Sequence, residues 1–99
     1  LDQVIFRTLT SFGFNKFEIE VYIFLAKTGP LRAKDVASKF EIPKQRVYSC
    51  LKDLKNHKAV YTIRDRPTKY CVLPFAQMLD VYTNSRIEEA QIIQKNKEK

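Results

Sequence analysis

The chain has 99 residues, 44% of them hydrophobic, with two cysteines, one histidine, two glycines and a formal net charge of +7. One domain of ordinary size, typically about 50 to 250 residues, fits this length, and so large an apolar fraction excludes disorder as the default and builds a core without staples. No segment approaches the roughly 18 consecutive apolar residues of a membrane span, and no charged stretch followed by an apolar run opens the chain as a leader would, so the expectation is a cytoplasmic protein with no membrane partner.

Val4, Ile5, Leu9 and Phe12 recur at helical spacing, and Gly13 supplies a residue able to take a left-handed stop, which predicts a first helix over residues 1 to about 12. Asn15 and Glu18 then form the pattern of a capping box, flanked by Phe14 and Ile19 as a hydrophobic staple. The helix that follows is apolar around much of its circumference, as expected of one wedged between neighbours, and Gly29-Pro30 ends it. A short third helix spans about Ala33 to Phe40, with Val36, Ala37 and Phe40 on one side and with Arg32 where a capping Ser, Thr, Asp or Asn would stand. Ile42-Pro43 forces an extended residue followed by a good first helical position, so the fourth helix is expected from Pro43 to about Asn56, burying Val47, Cys50, Leu51 and Leu54. The period then turns from helical to alternating: strands at 60–63 and 69–73 flank a polar tip, Arg64 to Thr68. From Pro74 a last helix carries Phe75, Met78, Leu79 and Tyr82, and continues more weakly through Ile87, Ala90, Ile92 and Ile93.

Charge is divided unevenly along this plan. Positive and negative side chains cancel in residues 1 to 31 and again in 71 to 99, whereas residues 32 to 70 hold eleven basic against four acidic side chains. Such concentration favours a partner with a dense line of negative charge, and nucleic acid is the foremost candidate.

A tight pair of helices, a hairpin and a closing helix, with the excess charge on the pair and the hairpin, describe a mainly α (α+β) fold: a winged helix-turn-helix with a two-stranded wing. Residues 1–73 form that domain and 74–99 a C-terminal helix for dimerisation. At about 100° per residue, the face opposite Val47, Leu51 and Leu54 carries Gln45, Ser49, Lys52 and Asn56, with Lys44 and Arg46 flanking the first turn. Gln and Arg have the donor and acceptor geometry to read adenine and guanine edges, so Gln45, Arg46 and Ser49 are expected on bases and Lys44 and Lys52 on phosphates. Arg32 and Lys34, at the start of the helix that crosses the backbone, are added to the expected DNA-binding set. Arg64 and Arg66 at the hairpin tip suit an adjacent minor groove or phosphate, with Lys69 at the base of that tip.

The run Gly13-Phe14-Asn15-Lys16-Phe17-Glu18-Ile19-Glu20-Val21-Tyr22, then Leu25, Gly29-Pro30, Ala33-Lys34-Asp35-Val36-Ala37, Ile42-Pro43-Lys44-Gln45-Arg46-Val47-Tyr48, Leu51, Leu54, Arg66-Pro67-Thr68-Lys69-Tyr70 and Leu73-Pro74 resembles the DNA-binding domain of the TrmB family, predominantly archaeal transcriptional regulators. The resemblance covers roughly residues 8 to 80. It implies a winged-helix dimer on promoter DNA with the helix from Pro43 as recognition helix. Family members often carry a sugar-sensing domain further on, and no small-molecule effector is expected of these 99 residues. Two positions depart from the family pattern. Arg32 replaces the usual Ser or Thr, and Lys58 replaces a Gly between recognition helix and wing. Either Lys58 takes a left-handed conformation, at about 1 kcal/mol, or Asn56 or His57 makes the turn.

Other functions fit less well. With one histidine, two glycines and no phosphate loop, the chain offers no catalytic constellation, no metal set and no cofactor site, so no enzyme is expected. Cys50 and Cys71 are read as buried thiols in preference to a disulfide, and His57 as a surface residue favourable to a helix end. The rival reading is a winged helix used as a protein-interaction module in a transcription-related complex. Tyr82, Ile87, Ala90 and Ile93 are assigned to a homodimer interface, because the apolar side chains beyond the domain have nothing else to pack against. The partners expected are therefore double-stranded DNA and a second copy, in sequence-specific transcription regulation.

Overall fold

The computed structural model describes residues 2–64 and 66–83. Four helices, α1 (Asp2–Ser11), α2 (Lys16–Thr28), α3 (Ala33–Phe40) and α4 (Lys44–Asn56), precede an antiparallel hairpin of β1 (Val60–Ile63) and β2 (Lys69–Val72). A fifth helix, α5, occupies 75–83. The strands pair Val60 with Val72 and Ile63 with Lys69. This is a winged helix.

One core joins all the helices. Ile5 and Leu9 of α1, Ile19, Val21, Tyr22 and Leu25 of α2, Val36 of α3, Val47, Leu51 and Leu54 of α4, and Met78 of α5 form a single buried cluster. Central α2 is apolar around much of its circumference because neighbours cover most of its faces. Its Tyr22 hydroxyl donates to the Leu73 carbonyl at 2.6 Å, pinning the strand exit to the core, and burial pushes that phenol up to about 12.

The helix starts are unequal. At α2, Asn15 Oδ1 accepts from the Glu18 amide and Glu18 Oε1 from the Asn15 amide, both at 2.8 Å, so the predicted box is complete and the buried carboxylate is satisfied. At α3 only half a box forms: Asp35 accepts from the backbone and side chain of Arg32, whose guanidinium has no acceptor to return. At α4, Pro43 is the N-cap, at φ −60° and ψ 144°, one residue before the first helical position assigned to it from sequence. Its extended ψ leaves it outside the helix.

The helix ends repeat one device. Gly13 at φ 101° lets Phe14 donate to the Leu9 carbonyl, and Lys58 at φ 64° lets Ala59 donate to the Leu54 carbonyl at 2.9 Å. The turn into the wing is thus made by Lys58 and not by Asn56 or His57. Cys50 and Cys71 are free and buried, and desolvation first, then the charges of Glu18 and Asp53, push the Cys50 thiol up to about 12.

Candidate nucleic-acid interface

The recognition face follows from the burial of α4. Val47, Cys50, Leu51 and Leu54 are buried, so Lys44, Gln45, Arg46, Ser49, Lys52 and Asn56 are exposed as the helical period requires. These six do not stand equivalently. Gln45, Ser49, Lys52 and Asn56 occupy the outermost strip. Lys44 and Tyr48 flank it on the side of the wing, and Arg46 and Asp53 on the side of α2.

On the wing side lies a cleft of about 260 Å³ bounded by Arg32, Ala33, Lys34, Lys44, Tyr48, Pro67, Thr68 and Tyr70. Its shape depends on a contact absent from local sequence patterns. Leu31 and Tyr70 exchange backbone hydrogen bonds of 3.2 and 2.7 Å, adding a one-residue bridge to the edge of β2. That bridge seats the start of α3 against the wing. Arg32 and Lys34, far from the hairpin in sequence, therefore share a surface with Lys44 and the wing. Arg32 is oriented by Asp35, with Nε 3.2 Å from Oδ2, and this hydrogen bond holds the Asp35 carboxyl below its ordinary range.

On the α2 side, a second cleft of about 370 Å³ is lined by Asn15, Lys16, Phe17, Glu18, Arg46, Ser49, Cys50 and Asp53. The Arg46 guanidinium lies over the Phe17 ring, 5.5 Å from its centroid, and so leans toward α2 at the margin of the strip. Lys16 joins it there. Counting charge by thirds of the chain hides Lys16, because Glu18 and Glu20 offset it.

At the wing, Arg64 and Arg66 are exposed, and Lys69 is half-buried opposite Ile63. Tyr82 is engaged within the chain: its ring stacks on Phe12 at 4.6 Å and 4°, and its hydroxyl donates to the His57 carbonyl at 2.9 Å. Ile87, Ala90 and Ile93 lie outside the described residues. Tyr48, half-exposed at 50%, is the aromatic that charge-based reasoning passed over. The signal was present, since Lys44, Tyr48 and Lys52 form one i, i+4 row.

Among the described residues there is no group of side chains able to hold a metal ion, and no helix long and apolar enough to cross a membrane. Comparison with known proteins matches residues 9–76 to the family model "Sugar-specific transcriptional regulator TrmB". The chain is 34% identical over 70 residues to the HTH-type sugar sensing transcriptional regulator TrmBL1 of Pyrococcus furiosus, a match covering 71% of this chain and 20% of that protein. It therefore spans about a fifth of the relative's length. Among solved structures, TrmBL2, an archaeal chromatin protein with a novel mode of DNA binding, superposes with a TM-score of 0.85 at 23% identity, over 98% of this chain and 38% of that one. MepR, a transcription regulator of the Staphylococcus aureus multidrug efflux pump MepA, superposes with a TM-score of 0.63 at 16% identity, over 96% of this chain and 74% of that one. Both likenesses bear on the fold.

Proposed function

Because the chain belongs to the TrmB family of transcriptional regulators, whose winged-helix DNA-binding domain it carries, we propose that it binds duplex DNA sequence-specifically with α4 in the major groove. The family is one of regulators, not enzymes. The observation that carries the reading is the convergence of Arg32, Lys34 and Lys44 with the wing around one side of an exposed α4, although these residues come from separate elements.

In this reading Gln45 and Ser49 meet base edges from the outer strip, with Arg46 reaching in from the α2 margin, and Lys44 and Lys52 meet phosphates. Arg64 and Arg66 enter the neighbouring minor groove or touch its backbone, with Lys69 behind them. The protein acts in the cytoplasm as a homodimer, paired through Ile87, Ala90 and Ile93, so that two copies of α4 reach successive major grooves about 34 Å apart. Tyr82 anchors the base of that helix on its own domain. Neither a cofactor nor a small-molecule effector enters this account of the 99-residue chain.

Selection of bound sequences from a random duplex pool tests this. A recovered motif with two half-sites about 10 base pairs apart, or a multiple of that, is the expected result. Recovery of no motif overturns sequence specificity, and a single unrepeated half-site overturns the paired arrangement.

A further inference from the structure

The two clefts beside α4 differ in chemistry. Toward α2 the walls mix Lys16 and Arg46 with the carboxylates of Glu18 and Asp53. Toward the wing the ionised side chains are Arg32, Lys34 and Lys44, and the remaining polar side chains are the hydroxyls of Tyr48, Thr68 and Tyr70. No carboxylate of the described residues lines that cleft. Arg32 is partly matched by Asp35 behind it, whereas Lys34 and Lys44 make no ion pair among the described residues. A concave surface whose described residues offer positive charge and O–H donors is complementary to an oxyanion.

Size and position narrow the anion. A volume of about 260 Å³ is small beside the roughly 300 to 1,000 Å³ of ordinary small-molecule sites, but it accommodates one phosphate with the edge of its sugar. The cleft opens beside the N-terminal turn of α4, next to the strip that faces the groove floor, where a DNA backbone runs when a helix enters the major groove. Neither α3 nor α4 receives a side-chain cap at its start, so first-turn amides add donors at the same end.

We propose that this cleft holds a single phosphodiester of the duplex, with Tyr48 and Tyr70 donating hydroxyl hydrogen bonds beside Lys34 and Lys44, and that it thereby sets the register of α4 along the groove. The assignment rests on the DNA-binding reading above. Tyr48 is then a positioning residue: it touches the backbone, not a base.

The test is titration of a mixed-sequence duplex by fluorescence anisotropy between 50 and 200 mM salt, about the range over which phosphate contacts show their salt dependence. Tyr48→Phe, a change on an exposed ring, is expected to weaken binding by about 2- to 12-fold, the range for one hydrogen bond, with the slope of log affinity against log salt unchanged. Lys34→Ala and Lys44→Ala are each expected to weaken binding and to reduce that slope by about one. Tyr48→Phe should leave the bases preferred in a random pool as they are in the parent chain.

Wild-type affinity in Tyr48→Phe, unchanged slopes in both lysine variants, or altered base preference in Tyr48→Phe each overturn the phosphate cleft while leaving DNA binding standing. Failure of the parent chain to bind any duplex overturns the underlying reading instead. Inorganic phosphate, exchanged for chloride at equal ionic strength, is expected to leave the amide resonances of Lys34, Lys44 and Tyr48 unmoved at low millimolar concentration. Saturable shifts at these amides would make the ligand a free anion and overturn the duplex as its source.

Discussion

Gly29 and Lys58 both sit at positive φ, with opposite fitness for it. Gly29, at φ 88° and ψ −166°, lies in a region open essentially to glycine, and a Cβ built there meets nothing within 4 Å. The penalty for a side chain is therefore conformational and not steric, and Gly29→Ala should destabilise the domain by about 1 to 3 kcal/mol. Lys58 occupies the left-handed helical region at φ 64°, so Lys58→Gly removes strain of about 1 kcal/mol, part of which is offset by the greater entropy of the unfolded glycine chain. Thermal denaturation of the two variants should move in opposite directions, and a fall in stability for both would refute the account of Lys58. A second residue-scale expectation concerns alkali. Cys50 and Tyr22 rise from 9.0 and 10.0 to about 12 on burial, so above pH 9 the folded chain keeps protons that the unfolded chain releases. Stability is accordingly intact below about pH 9 and falls as pH climbs toward 12. Midpoints measured across that window should drop less steeply in Tyr22→Phe than in the parent chain.

At the scale of elements, the contrast between helix starts links stability to function. Alpha2 has a full capping box, while α3 is given only the Asp35 half of one because Arg32 offers no acceptor. Arg32→Ser supplies that acceptor. It should add about 0.5 to 2 kcal/mol of capping energy, reduced by the loss of the half-exposed Arg32–Asp35 pair, which is worth little in water. The same change should weaken duplex affinity. Chemical denaturation and anisotropy on one sample check both, and a variant equally tight on DNA would remove Arg32 from the interface. Helix limits were legible in sequence because they depend on neighbours within a few residues: the α2 box, the Gly13 stop and the buried stripe of α4 all follow from local spacing. Pro43 was misplaced by one position because proline's fixed φ suits both the first helical residue and the cap, and only ψ separates them.

For the molecule as a whole, positive charge is delivered to one side of α4 by tertiary contacts, and it should dominate association with DNA. Affinity for duplex is expected to fall steeply with added salt, and Arg64→Ala to weaken it. A salt-insensitive complex with some other partner would favour the protein-interaction alternative. The paired state is a separate expectation at this scale. Sedimentation at high micromolar concentration should give a dimer, and Ile87→Arg with Ile93→Arg should shift it toward the monomer; a parent chain that sediments as a monomer removes the assigned pairing surface.

The order of elements, the buried stripe of α4, the alternation of the wing strands and the concentration of basic residues were determined by the sequence alone, because helical and strand periods act over a few neighbours. Val4 and Leu79, by contrast, stand at apolar positions of the first and last helices and are exposed. The meeting of α3 with the wing was decided only in three dimensions. It depends on the Leu31–Tyr70 backbone bridge and on the Tyr22 hydroxyl reaching Leu73, fifty-one residues away. Backbone pairing of this kind carries little side-chain signature, since any residue can supply the amide and carbonyl. Tyr48 shares a helix row with Lys44 and Lys52 in the sequence, but only the folded wing gives it a cleft to line.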